Sequence, residues 1–255
     1  MRAATASTRL FSSLLTEPRS RRIALLLALL AADLALFADI TEDYVTGDPL
    51  VRWDVSFARW LYEHSNPALV DVAKVVTYLG NGIFLLLLVA GTGLGLLRRN
   101  RVNDALLLLI AFVGGEILNA LLKLAFQRPR PELAFVHLET YSFPSGHATA
   151  SAAVYTLLAW LAIRRLRRTL WRVAVALGAA LVIVTIGFTR MYLEVHYLSD
   201  VLAGTAAGLA WALAAILVAT IDRDVLGWFP PPVRRFVLRL VPQTRDVTSP
   251  VPRPR

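Results

Sequence analysis

Three short stretches of the chain hold residue types that can bind an anion and attack it. The first is Lys123-x6-Arg130-Pro131. Lysine offers a compact charge and arginine a planar fork that grips two oxygens. Pro129 and Pro131 stop any helix before them, so Arg130 rides on a stiff, extended segment. The second is Pro144-Ser145-Gly146-His147, which precedes an apolar run. Serine suits a helix N-cap, glycine lets an anion approach the backbone, and the free N–H groups of a helix start attract phosphate. The third is Arg190-x5-His196-x3-Asp200. Residues four apart share a helical face, so a carboxylate beside His196 would fix its tautomer and leave the other ring nitrogen as a base or nucleophile. Each pattern also has a plainer reading. These are basic residues snorkelling at a helix end, an ordinary cap with a solvated histidine, and a histidine–aspartate bond between helices.

Composition limits what can carry these groups. Of 255 residues, 56% are hydrophobic, and the apolar residues fall in long blocks separated by arginine-rich stretches. A helix needs about 20 apolar residues to cross a bilayer. Cysteine is absent, which excludes disulfides, thiolate metal sites and cysteine nucleophiles. His64 and His137 are expected to be solvated loop histidines.

The blocks predict six spans: Ile23–Ile40, a helix from near Val75 through Gly80-Asn81-Gly82 to Leu97, Val102–Phe126, Gly146–Ile163, Val173–Phe188 and Tyr197–Ile221. The fold class expected is an all-α, polytopic six-helix bundle. Between the first two spans, Trp53, Phe57 and Trp60 share one helical face. They predict a short amphipathic helix, either at the membrane interface or packed on the bundle. Gly204-x-x-x-Gly208, and Gly91, Gly93 and Gly95, read as small-residue contact faces between helices. The expected organisation is a cytoplasmic segment over 1–22, a membrane domain over 23–221 and a cytoplasmic Pro/Arg-rich tail over 222–255, disordered or surface-bound after Pro230.

Charge placement gives an orientation. The net charge is +9, and 20 of the 27 basic residues lie at the termini or in the loops after the second and fourth spans. Arginine accumulates on the cytoplasmic side. Both termini are therefore expected in the cytoplasm, and the basic balance needs no nucleic-acid partner. On the sparse side, Lys123, Arg130 and Arg190 lie near membrane depth, where charge is costly and signals function. The same alternation of spans puts all three patterns on the outer face.

In this order, the three patterns resemble the signature of the type 2 phosphatidic acid phosphatase superfamily, the lipid phosphate phosphatases. The motifs cover about Leu118–Gly204, and the six-helix layout covers the whole chain. The family's third motif usually opens with serine, where this chain has Thr189, and Glu194 is an unexpected carboxylate close to His196. The resemblance implies a membrane phosphatase for a lipid phosphate or pyrophosphate: a polyprenyl pyrophosphate, phosphatidic acid or phosphatidylglycerophosphate. It implies His196 as the nucleophile that forms a phosphohistidine, Asp200 as its orienting carboxylate and His147 as general acid and base. Lys123, Arg130, Ser145, Gly146 and Arg190 would bind the phosphate. No metal or other cofactor is expected, since three cations replace one. The oligomeric state, the lipid, and the roles of Glu194, Glu116 and the loop over 132–143 are not legible. Glu116, Asn119 and Lys123 share one helical face, for which bonds between helices are the simpler reading.

The rival from another class is a lipid or small-molecule transporter with an anion site. Against it, no inverted repeat is visible and the polar residues gather at one end of the spans. A vanadate-dependent haloperoxidase would share the phosphate pocket, but six apolar spans disfavour that usually soluble branch.

Overall fold

The structure, a computed structural model, describes residues 18–47, 49–132, 134–136, 138–222 and 225–240. Among them every regular element is helical: α1 (Pro18–Thr46), α2 (Pro49–Glu63), α3 (Pro67–Val76), α4 (Gly82–Leu97), α5 (Val102–Phe126), α6 (Gly146–Ile163), α7 (Thr169–Tyr192), α8 (Leu198–Ile221) and α9 (Pro231–Leu240). Five helices are long and apolar enough to cross a membrane, and the stretches Pro67–Gly80 and Gly82–Leu97, bent by 43° at the break between them, pass the same test only when taken together. Leucines on α1, α4 and α7 face outward, as lipid-facing side chains should.

The centre of the bundle is the pair α6 and α8. Glycine decides how closely they pack. A Cβ on Gly208 would stand 2.2 Å from the Thr149 carbonyl oxygen, and one on Gly204 would stand 2.5 Å from that of Ser145. The expected contact face at these two residues is therefore present, and it seats the first turn of α6 directly on α8. Gly91, Gly93 and Gly95 differ from expectation. A Cβ at any of them would meet nothing within 4 Å, so they form no contact face among the described residues.

The second span also departs from the expected continuous helix. It starts at Pro67, tightens into a 3-10 turn over Thr77–Gly80 and breaks at Asn81. Asn81 is extended (φ −70°, ψ 138°), and its Oδ1 accepts from the Ile83 amide at 2.8 Å. A side chain that caps so well competes with the helix it would interrupt. The break is held inward: a Cβ on Gly80 would lie 2.5 Å from Ile186 Cγ2 and 3.3 Å from His147 Cδ2.

Helix α2 exposes Trp53 and Trp60, as the aromatic spacing predicts, and buries Asp54 and Leu61 toward the bundle. Helix α1 begins at Pro18, earlier than the expected Ile23. Its Arg19 Nη2 donates to the Ile221 carbonyl at 2.7 Å, closing orphan acceptors at the end of α8. Within the tail after Pro230, Pro231–Leu240 form a helix. Prolines in a first turn lose no intrahelical bond, so they start this helix rather than prevent it. Residues 1–17, 241–255 and His137 lie outside the described residues. His64 stacks on Trp60, with ring centroids 4.7 Å apart, just past the end of α2.

Candidate active site

One end of the bundle collects the last turn of α5, the first turn of α6, the last turn of α7 and the first turn of α8. These turns carry Lys123, His147, Arg190 and Asp200 respectively. The extended segment after α5 supplies Arg130, and the link between α7 and α8 supplies His196. Ser145, Arg190, His196 and Asp200 are buried, while Lys123, Arg130, Gly146 and His147 are half-buried. His147 lies within electrostatic reach of Arg190, His196, Arg130 and Lys123. The structure thus brings together all eight residues that the three patterns single out.

His196 is held from both sides. Arg130 Nη1 approaches its Nε2 at 3.2 Å, and Asp200 Oδ2 lies 3.4 Å from its Nδ1. A guanidinium can only donate, so Nε2 must present its lone pair and the ring proton sits on Nδ1, toward the carboxylate. Burial pushes the His196 imidazole down to about 3, although Asp200 opposes the shift, so the neutral ring is the form present at neutral pH. A neutral imidazole with its lone pair on Nε2 is the form a nucleophile needs.

Asp200 is heavily bonded. Its Oδ2 accepts from the Tyr197 amide at 2.9 Å and from Ser142 Oγ, and its Oδ1 accepts from Arg128 Nη1 at 2.7 Å. The loop before α6 joins in, since Ser145 N donates to the Asp200 carbonyl at 2.9 Å. Lys123 Nζ donates to the carbonyls of Tyr141 and Ser142. Arg130 Nε and Nη2 donate to Thr140 O and Thr140 Oγ1 at 2.6 and 2.8 Å. The segment Thr140-Tyr141-Ser142 is therefore the cradle that sets both cations.

Two donors stay unused. Ser145 begins α6 but makes no capping bond, and its Oγ is buried with no partner. Arg190 Nη1 donates to Thr77 Oγ1 at 2.8 Å, yet its buried Nε has no partner either. An unmet buried donor costs about 1–3 kcal/mol, so two of them in one cluster mark a place for an acceptor. Gly146 meets Asn119: a Cβ there would stand 3.0 Å from Asn119 Oδ1. No three His, Asp or Glu side chains among the described residues are placed to share a metal ion.

A family profile described as the PAP2 superfamily matches residues 104–223. Phosphatidylglycerophosphatase B of Bacillus subtilis (strain 168) is 37% identical over 161 residues, which cover 62% of this chain and 78% of the relative. The chain belongs to the PAP2 superfamily. The crystal structure described as the first transmembrane PAP2 type phosphatidylglycerolphosphate phosphatase, from Bacillus subtilis, superposes with a TM-score of 0.67 at 30% identity, over 78% of this chain and 98% of that one. The crystal structure of Aquifex aeolicus LpxE shares the PAP2 fold, with a TM-score of 0.53 at 24% identity over 64% of this chain and 94% of that one.

Sequence reasoning missed the neighbours that hold this candidate site. Arg128, Asp54, Ser142 and Thr77 all bond to site residues or to one another. For Arg128 the local sequence holds no signal beyond its nearness to Arg130. For Asp54 the signal was a lone carboxylate on the face of Phe57 and Leu61. Asn119 does bond between helices, to Pro144 O and Thr149 Oγ1, both at 3.2 Å. Glu116 makes no such bond among the described residues, and its Oε1 lies 3.8 Å from where a Gly82 Cβ would be.

Glu194 and Gln127 both take positive φ near the candidate site, and of the two Glu194 is the one buried with an unmet oxygen. Its φ is +55°, its side chain is buried, and Oε1 has no partner. Left-handed backbone favours glycine, and burial raises the Glu194 carboxyl from 4.5 to about 8. The sign follows from linkage. Below about 4.5 both the folded and unfolded chains hold the proton, so nothing is lost. Between about 4.5 and 8 the unfolded chain ionises first, and stability falls as pH rises. Glu194→Gln should raise the Tm of the detergent-purified protein more at pH 9 than at pH 5. Equal changes at both pH values would contradict this.

Proposed function

We propose that this chain is a multi-pass membrane phosphatase that removes phosphate from a lipid phosphate or pyrophosphate through a phosphohistidine on His196. The observation that carries the reading is the pairing of two partnerless buried donors, Ser145 Oγ and Arg190 Nε, with a histidine whose Nε2 presents a lone pair in the same cluster. An acceptor-rich, tetrahedral, multiply charged group meets all of these demands at once.

Phosphate enters with its oxygens among Lys123, Arg130, Arg190, Ser145 Oγ and the N–H groups of Gly146 and His147. Charge that develops on those oxygens is met by donors already in place. His196 Nε2 attacks phosphorus in line. The N–P bond forms, the P–O bond to the lipid breaks, and the leaving oxygen takes a proton from His147. Asp200 faces the Nδ1–H and balances the charge the ring gains. In the second step His147 takes a proton from water, the water oxygen bonds to phosphorus, and the N–P bond breaks to give inorganic phosphate.

The cations supply what a divalent ion supplies in other phosphoryl transfers, so the reaction proceeds without metal. The excess of arginine at the termini and in the loops between α4 and α5 and between α6 and α7 supports cytoplasmic termini. With that orientation the site faces the extracytoplasmic side of the cell membrane. The domain over 23–221 carries the activity, flanked by cytoplasmic segments over 1–22 and 222–255. The Bacillus relatives are named for phosphatidylglycerophosphate, which makes that lipid the first of the three candidates to assay.

The test is phosphate release by the purified protein from phosphatidylglycerophosphate, phosphatidic acid and a polyprenyl pyrophosphate, with and without excess chelator. Release from at least one lipid, unchanged by chelator, is the expected result. No release from any of the three contradicts the phosphatase reading. Full loss on chelation, restored by a divalent cation, contradicts its metal-free form.

A further inference from the structure

Helix α2 lies outside the span-forming helices and carries no residue of the three patterns. It nonetheless reaches the centre of the site. Asp54 is 1% exposed, between Trp53 and Val55, which are 66% and 48% exposed. Its Oδ2 accepts from Arg128 Nη2 at 2.8 Å and from Ser199 Oγ, and its Oδ1 accepts from the Ser199 amide at 2.9 Å. The other arm of the same guanidinium donates to Asp200 Oδ1 and Ser199 Oγ, at 2.7 and 2.6 Å. The rings of Tyr44 and Tyr197 hold the guanidinium carbon at 4.9 and 4.3 Å from their centroids. Arg128 is thus a fixed bridge between two buried carboxylates.

We propose that Asp54 is a positioning residue for the nucleophile, acting through Arg128 on Asp200, and that α2 is thereby part of the catalytic machinery. The inference rests on the reading of His196 as the attacking group. Charge balance is the reason. Arg128 and Asp200 alone would form a neutral pair, and the arginine would draw the carboxylate's charge away from His196. A second buried carboxylate costs desolvation, so it is poorly explained as a stabilising device. With Asp54 present, the three charges sum to −1 directly behind a ring that becomes positive as it attacks phosphorus. Such a preorganised charge lowers the barrier without moving. Fork geometry fixes direction as well: with both arms engaged, Asp200 can turn neither oxygen away from the Tyr197 amide and His196.

The experiment is a cycle of Asp54→Asn, Asp200→Asn and the double variant, assayed as single-turnover phosphorylation and as steady-state kcat and KM. Asp54→Asn keeps the shape and removes the charge. It is expected to lower kcat about 10- to 100-fold with KM changed less than about threefold. In the Asp200→Asn background it is expected to cost nothing further, because its effect passes through Asp200. A folded Asp54→Asn protein with kcat within about twofold of wild type overturns the proposal, and so does an undiminished cost in the Asp200→Asn background. If Asp54→Asn does not fold, Arg128→Lys decides, since lysine keeps the buried cation but cannot hold both carboxylates at once. It should lose about 10-fold in kcat, and wild-type kcat there likewise overturns the proposal. His196→Ala separates the two levels: an active His196→Ala protein defeats the underlying reading, whereas an inactive one with an unimpaired Asp54→Asn defeats this inference alone.

Discussion

His196→Ala is expected to lower lipid phosphate turnover by at least about 10³-fold, with the protein still folded and still able to bind substrate. Size and direction both follow from the ring's surroundings. His196 is buried, its Nε2 faces Arg130, and its Nδ1 faces Asp200. Alanine removes the attacking lone pair and leaves the cation cluster intact, so phosphate should still bind. Water should not take over, because His147 in the first displacement is committed to protonating the leaving oxygen and cannot at the same time act as base. The expected signature is a collapse of kcat with KM changed by only a few-fold, read by phosphate release from mixed micelles. A variant that turns over at near wild-type rate would remove the nucleophile from the account.

His147→Ala is the second large effect, and its form depends on the leaving group. With a lipid substrate, phosphorylation of His196 needs a proton for the leaving alkoxide, and hydrolysis needs a base for water. Both steps then slow, and turnover should fall by about 10²–10⁴-fold. With an aryl phosphate the departing oxygen is a good leaving group and needs no proton, so only the second step suffers. Phosphorylated protein should accumulate, seen as a burst of one phenolate per chain followed by a slow steady rate. The place of His147 accounts for this division. It stands in the first turn of α6, half-buried, against the break at Gly80 and within reach of the three cations. An aryl phosphate turned over at the wild-type steady rate by His147→Ala would assign the base elsewhere.

The local part of the site was open to sequence reasoning because each pattern is short. Three residues of spacing fix His196 against Asp200, and Ser145-Gly146-His147 lie in one helical turn. The span count, read from apolar blocks, placed all three patterns at one end, where the structure has them. What stayed hidden depends on distant chain. Asp54 and Ser199 are 145 residues apart, and Arg128 joins them to Asp200 only after α2 folds back over α8. The periodicity of α2 is legible through Trp53, Phe57 and Trp60, but Trp53 and Trp60 mark the outward face, and only Phe57 turns with Leu61 toward the bundle, where Asp54 is buried. Ser145 was read as a helix cap, and its Oγ makes no capping bond. The apolar blocks carry the second span through Gly80-Asn81-Gly82 as one helix, and the structure breaks it there. Asn81 between the two glycines is a cap with its own hydrogen bond.

The most direct measurement is to find where phosphate resides during turnover. His147→Ala protein, mixed with an aryl phosphate, quenched within the burst and digested, should yield one phosphorylated peptide. Its phosphate should be stable to alkali, labile to acid, and placed by mass spectrometry on the imidazole of His196. Phosphate on any other side chain, or a burst of phenolate with no phosphate left on the protein, would contradict a covalent intermediate at His196.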